Sequence, residues 1–73
     1  MNSTKKMAER GEQHFKAGKT LSIADCGCID QELYAEANGM SITESCRYYA
    51  KMRKAFNKGW FRAHASSMFA AVA

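Results

Sequence analysis

The sequence predicts a small all-α domain. Three observations point there. Proline is absent from all 73 residues. The apolar residues fall in short groups at helical spacing rather than in strand-like alternation, and two helix starts are marked by side chains suited to accept orphan backbone N–H groups. A chain of this length forms a single domain, 1–73, that buries roughly 60% of the surface its unfolded form exposes. So small a core leaves little room for a deep catalytic pocket. The expectation is a binding module, not an enzyme, and one that carries no cofactor.

Residues 1–6 are polar and expected to be flexible. From Met7 to Ala17 the pattern allows a weak helix with Met7, Ala8 and Phe15 on its apolar side. Gly11 costs that helix about 1 kcal/mol relative to alanine, and Gly18 ends it. The segment "KTLSIADCGCID" is ambiguous. Leu21 and Ile23 alternate as in a strand, while Ser22 is able to cap a single turn, so the segment is expected to be irregular or briefly extended.

Asp30 then stands where an N-cap belongs, before "QELYAEAN", with Glu32 in the first turn where the helix dipole favours a negative charge. This predicts a helix over about 31–38, ended by Gly39 as a left-handed C′ residue. Ser41 and Glu44 form an S-x-x-E capping box that opens a second helix over about 42–57. On it Ile42, Cys46, Tyr49, Met52 and Phe56 recur along one face. Asn57, Lys58 and Gly59 read as a stop. Beyond them a last helix is expected to lay Phe61, Ala65, Met68 and Val72 against the core. The pair around Gly39 has the outline of a helix-turn-helix, with Ala35, Gly39 and Met40 at the spacing such a turn needs. Asn38 and the Ser45–Cys46 pair depart from it.

The formal charge of +4 is unevenly distributed. Residues 20–46 hold Asp25, Asp30, Glu32, Glu36 and Glu44 and no base, whereas residues 47–62 hold Arg47, Lys51, Arg53, Lys54, Lys58 and Arg62 and no acid. Arg47, Lys51, Lys54 and Lys58 recur at four, three and four, which projects them from the side opposite the apolar face. Cationic helix faces are often merely solvated. Here no acid dilutes the run, and like charges four apart cost the helix a little stability, so an anionic partner is the better explanation. Aromatic rings interleave with these cations at Tyr48, Tyr49, Trp60 and Phe61, as on surfaces where RNA bases stack and phosphates meet cations. Most of those rings are needed for the core. Tyr48 is the one expected to serve recognition, beside Arg47, Lys51, Lys54, Lys58 and Arg62.

Cys26, Cys28 and Cys46 are odd in number and are expected to remain thiols in a reducing compartment. With His14 and His64 they make a poor zinc set, since Cys-Gly-Cys lacks a second ligand pair. Nothing marks an oxyanion hole for a cysteine–histidine nucleophile either. The two histidines are expected at the surface. No apolar stretch reaches the roughly 20 residues that span a bilayer, and "MNSTKKMAERGEQ" lacks the apolar region of a secretory signal. The expected compartment is the cytoplasm.

From "MNSTKKMAERG" through "CIDQELYAEANGMSITESCRYYAKMRKAFNKGWFRAHA" the chain resembles, over essentially its full length, the small RNA polymerase-binding transcription regulators of lytic Xanthomonas phages. The resemblance implies a protein of the infected bacterial cytoplasm, acting as a monomer. It would dock on host RNA polymerase at the β′ subunit N-terminus by the RNA exit channel, with the β flap region and nascent RNA as further contacts. There it would disfavour σ-dependent initiation and promote antitermination. On this reading the basic face meets RNA or acidic protein, while the N-terminal segment or the acidic helix around Glu32 and Glu36 engages a basic peptide of β′. A second likeness is to ribosome modulation factor, carried by Gly11 and Gly18 seven apart, a cysteine soon after, and the Gly-Trp of "MRKAFNKGWFRA". More than twenty residues separate Cys28 from Met52, and no Cys-Pro-Tyr occurs. A phage DNA-binding repressor using the helix-turn-helix outline is the other alternative.

Overall fold

A computed structural model describes residues 2–72, with side chains through Phe69. The described chain is three helices, α1 (Thr4–Lys16), α2 (Ile23–Glu36) and α3 (Ile42–Val72), without a strand. Each start has a serine cap. The Oγ atoms of Ser3, Ser22 and Ser41 accept from the backbone N–H groups of Lys6, Asp25 and Glu44 at 3.1, 3.4 and 3.2 Å. Gly18 at φ 79° and Gly39 at φ 96° close the first two helices. At Gly39 the left-handed backbone lets the chain reverse within a few residues into α3.

The boundaries differ from expectation in four places, each for a physical reason. Ser22 starts a full helix instead of a single turn, so "KTLSIADCGCID" is mostly α2 and Asp30 lies inside a helix rather than capping one. Thr20 and Ser22 hydroxyls both bond the Asp25 carboxylate, which braces that start. Gly59 does not stop α3, which runs unbroken for 31 residues. The residues expected to be flexible are partly anchored: Thr4–Lys6 form the first turn of α1, and Asn2 bonds Glu36 through both its backbone N–H and its Nδ2, at 2.8 and 2.7 Å.

Gly59 and Gly11 together explain how α1 sits on α3. A Cβ added at Gly59 would fall 1.8 Å from the Ala8 carbonyl oxygen, and one at Gly11 would fall 1.9 Å from that of Phe56. The two helices therefore touch backbone to backbone, and only glycine on each side permits the approach. Helix α2 closes the core from its other side. Met7 from α1, Cys26, Ile29 and Leu33 from α2, and Met52 and Phe56 from α3 form the buried cluster. Fully burying each of the larger side chains contributes roughly 1.5–3 kcal/mol.

Ile42 and Cys46, expected on this apolar face, are exposed instead, because the side of α3 that meets the end of α2 carries Ser45, whose hydroxyl donates to the Ala37 carbonyl at 3.4 Å. Phe61, Ala65 and Met68 likewise face solvent, while the Val72 side chain lies outside the described residues. At about 1.5 Å per residue α3 is some 46 Å long. It sets the long dimension of a molecule that measures 48 × 21 × 16 Å.

Candidate nucleic-acid interface

Helix α3 places its cations by simple periodicity. At about 100° per residue, Arg47, Lys51, Lys54, Lys58 and Arg62 fall within an arc of about 80°, centred opposite Met52, Phe56 and Ala63. All five are exposed, whereas those three are buried. The row runs some 22 Å along the helix. Among the described residues no carboxylate pairs with Arg47, Lys51, Lys54 or Lys58, and Arg62 alone has one nearby, Glu12 at 3.9 Å. A shallow groove beside Arg62, lined by Glu12, Phe15, Lys16, Ala63 and Ser66, is of mixed charge and does not extend the row.

Arg53 belongs to the other side of the helix. Its guanidinium lies 5.3 Å from the centroid of the Phe56 ring, donates to the Leu21 carbonyl at 3.4 Å and sits 3.7 Å from Asp30. The last is a charge contact, too long for a hydrogen bond. Asp30 in turn accepts from the Tyr49 hydroxyl at 2.9 Å. Burial, and then Asp30, push the Tyr49 phenol up from its ordinary value. These groups tie α2 to α3 and leave the cation row untouched.

Tyr48 departs from its expected role. It is half-buried, with its hydroxyl turned inward toward Glu36 outside hydrogen-bond geometry, and burial together with Glu36 pushes that phenol up as well. It is not a free recognition ring. Glu32 and Glu36 are also engaged within the fold. Arg10 pairs with Glu32 at 2.5 Å, and Asn2 holds Glu36. Burial works to raise the Glu36 carboxyl, but the Asn2 hydrogen bonds, together with the nearby Tyr48 hydroxyl and the N-terminal charge, outweigh it, so the net shift is downward. A basic peptide at these two glutamates would have to displace Arg10 and Asn2.

The rings at the end of the row are organised by a network that sequence periodicity does not show. Trp60 donates from Nε1 to the Lys19 carbonyl at 2.9 Å and stacks on His64 at 5.2 Å between centroids. Phe15 meets Trp60 edge to face at 5.3 Å. Trp60 is thereby fixed, while its neighbour Phe61 stands 57% exposed and edge-on to it at 5.1 Å. Met68 and Phe69, 58% and 77% exposed, continue the same solvent-facing side. This apolar extension is legible as a four- and three-residue spacing, but its direction is not.

The histidines are half-buried rather than superficial. His14 Nε2 lies 2.9 Å from the Thr20 carbonyl and 3.7 Å from the buried Cys26 Sγ, with its ring edge-on to Phe56. Cys28 and Cys46 are exposed free thiols. Among the described residues no three His, Cys, Asp or Glu side chains gather into a metal-binding set, and no helix is long and apolar enough to cross a membrane. No protein-family model, curated protein or solved structure matches the chain.

Proposed function

We propose that this protein is a regulator of bacterial transcription that binds RNA polymerase near the β′ N-terminus and the RNA exit channel and turns the cationic side of α3 toward RNA. One observation carries the reading: a 22 Å row of exposed cations in which four of five have no carboxylate partner among the described residues. Neighbouring like charges on a helix oppose folding by a few tenths of a kcal/mol per pair. A row that costs stability and, among the described residues, meets only the Glu12 carboxylate at its Arg62 end is accounted for by a polyanion outside the fold. Phosphates crowd an exit channel, and so narrow a rod is of a size to lie along one.

Such a protein acts without chemistry on its target. Lodged at the channel, it would obstruct the ground that σ occupies at initiation, and its cations would hold the emerging transcript away from terminator pairing. An interface of about 800 Å² per partner is the usual size for a stable complex. The side of the molecule formed by α1 and α2 remains available for protein contact while α3 meets RNA.

A ribosome-binding role is the second reading, favoured by a specific contact. Gly11 of the glycine pair and Gly59 of the Gly-Trp, which carry the likeness to ribosome modulation factor, lie at one helix crossing. Co-sedimentation decides between the two. The tagged protein, mixed with core polymerase, holoenzyme and 70S ribosomes at low salt, is expected to travel with core polymerase and to be displaced as σ is added. Retention on ribosomes alone would replace the first reading with the second, and a discrete salt-resistant complex with promoter DNA alone would overturn both.

A further inference from the structure

We propose that the exposed side of α3 at the C-terminal end of the cation row, built on Phe61 and Phe69, stacks unpaired bases, so that the RNA recognised here is single-stranded. This inference rests on the reading of the row as an RNA surface and deepens it. Phe61 lies between Lys58 and Arg62 in sequence, on the same side of the helix, and Phe69 follows two turns later, 77% exposed. A ring next to a cation can offer a base its face while a flanking phosphate meets the charge. Every base has such a face, so the contact selects for unstacked nucleotides rather than for a sequence.

The setting of Phe61 distinguishes it from an ordinary surface apolar residue. Its ring leans edge-on against Trp60, and Trp60 is held by the Lys19 carbonyl and by His64. The platform is therefore oriented before any ligand arrives. Self-association explains the same side chains less well. Among the residues whose side chains are described, Phe61, Ala65, Met68 and Phe69 span about two turns, a patch much smaller than the roughly 800 Å² per partner of a stable interface. Two copies brought together further along α3 would oppose one cation row to another. A protein helix would need acidic and apolar groups in register with both parts. Single-stranded RNA supplies both along one chain.

The test is fluorescence anisotropy with a labelled 12-nucleotide single strand and a hairpin of the same composition, using Phe61→Leu, Phe69→Leu and the charge variant Lys51→Glu/Lys54→Glu. Circular dichroism confirms that each variant folds, and the phenylalanine sites are exposed, so leucine is tolerated. The wild-type protein is expected to bind the single strand at least tenfold tighter than the hairpin. Each leucine variant should lose about three- to tenfold on the single strand and almost nothing on the hairpin, while the charge variant loses affinity for both. Quenching of Trp60 fluorescence should accompany single-strand binding and fade in Phe61→Leu. Equal wild-type affinity for the two RNAs, or leucine variants unchanged on the single strand while the charge variant weakens, would overturn stacking and leave the RNA surface standing. Loss of polymerase binding by Phe61→Leu without loss of RNA binding would make this a protein contact. Absence of wild-type binding to either RNA would overturn the underlying reading as well.

Discussion

Two glycines do the most for this fold, and neither is in a turn. At Gly11 and Gly59 the obstacle to a side chain is a backbone carbonyl on the facing helix, which has no rotamer by which to move aside. Gly11→Ala or Gly59→Ala must therefore push α1 off α3. A loss of about 2–3 kcal/mol is expected, the range of severe overpacking, and the urea midpoint reads it. For a domain whose total stability is on the order of 5–10 kcal/mol, that is a large share. Gly27 is the control. It lies within α2 with nothing within 4 Å of an added Cβ and no positive φ. There alanine should raise stability by about 0.5–1 kcal/mol through helix propensity alone. Equal responses at the three positions would mean that α1 and α3 do not meet as described. Sequence reasoning charges every helical glycine the same propensity cost; what separates Gly11 and Gly59 from Gly27 is the facing backbone, which local spacing cannot reveal.

At the scale of the elements, polar contacts decide how α2 is held, and they respond to pH in opposite directions. Glu36 accepts two bonds from Asn2 and titrates below its ordinary range. Its contribution is thus present above the unfolded value and is lost as the pH falls below about 4. Tyr49 is the reverse case. Its protonated hydroxyl donates to Asp30 and its phenol is raised, so that contribution is intact below about pH 10 and is lost above it. Glu36→Gln is expected to flatten the acid limb of the stability profile and Tyr49→Phe the alkaline limb, with Tyr49→Phe also costing about 1 kcal/mol at neutral pH for the lost hydrogen bond. Urea midpoints across the pH range check both, and an unchanged acid limb in Glu36→Gln would remove the Asn2 tether. The serine cap and glycine stop make the start of α3 and the turn before it legible in the sequence. Helix α2 is harder to read. Asp30 has the chemistry of a cap and is recruited by Tyr49 and Arg53 from another helix, and Ser22 gains its strength as a cap from Thr20 and Asp25 around it. A side chain that caps in one setting makes a tertiary contact in another, and the choice is settled by partners distant in sequence.

For the whole molecule the governing feature is charge sorted by both position and direction. The angular sorting of Arg47, Lys51, Lys54 and Lys58 is legible because it needs only a straight helix and a 3.6-residue period. The inward turn of Tyr48, the engagement of Glu32 and Glu36, and the outward turn of Phe61 depend on where α1 and α2 lie, and so are not. If four or five cations each displace a counterion from single-stranded RNA, log affinity should fall against log salt with a slope near −3. Each doubling of salt then weakens binding about sevenfold to elevenfold. Replacing Lys51 and Lys54 with glutamate should cut both the affinity and the slope. Yet the same change should not weaken the fold. A glutamate at position 51 would stand four residues after Arg47, and one at position 54 four before Lys58, exchanging repulsions for attractions worth a few tenths of a kcal/mol each. A face kept for a partner is marked by that divergence, in which the substitution that loses binding holds or raises the unfolding midpoint. If instead the double variant unfolded more easily and bound RNA as before, the row would be part of the scaffold, and the function would have to be sought on the surface that α1 and α2 share.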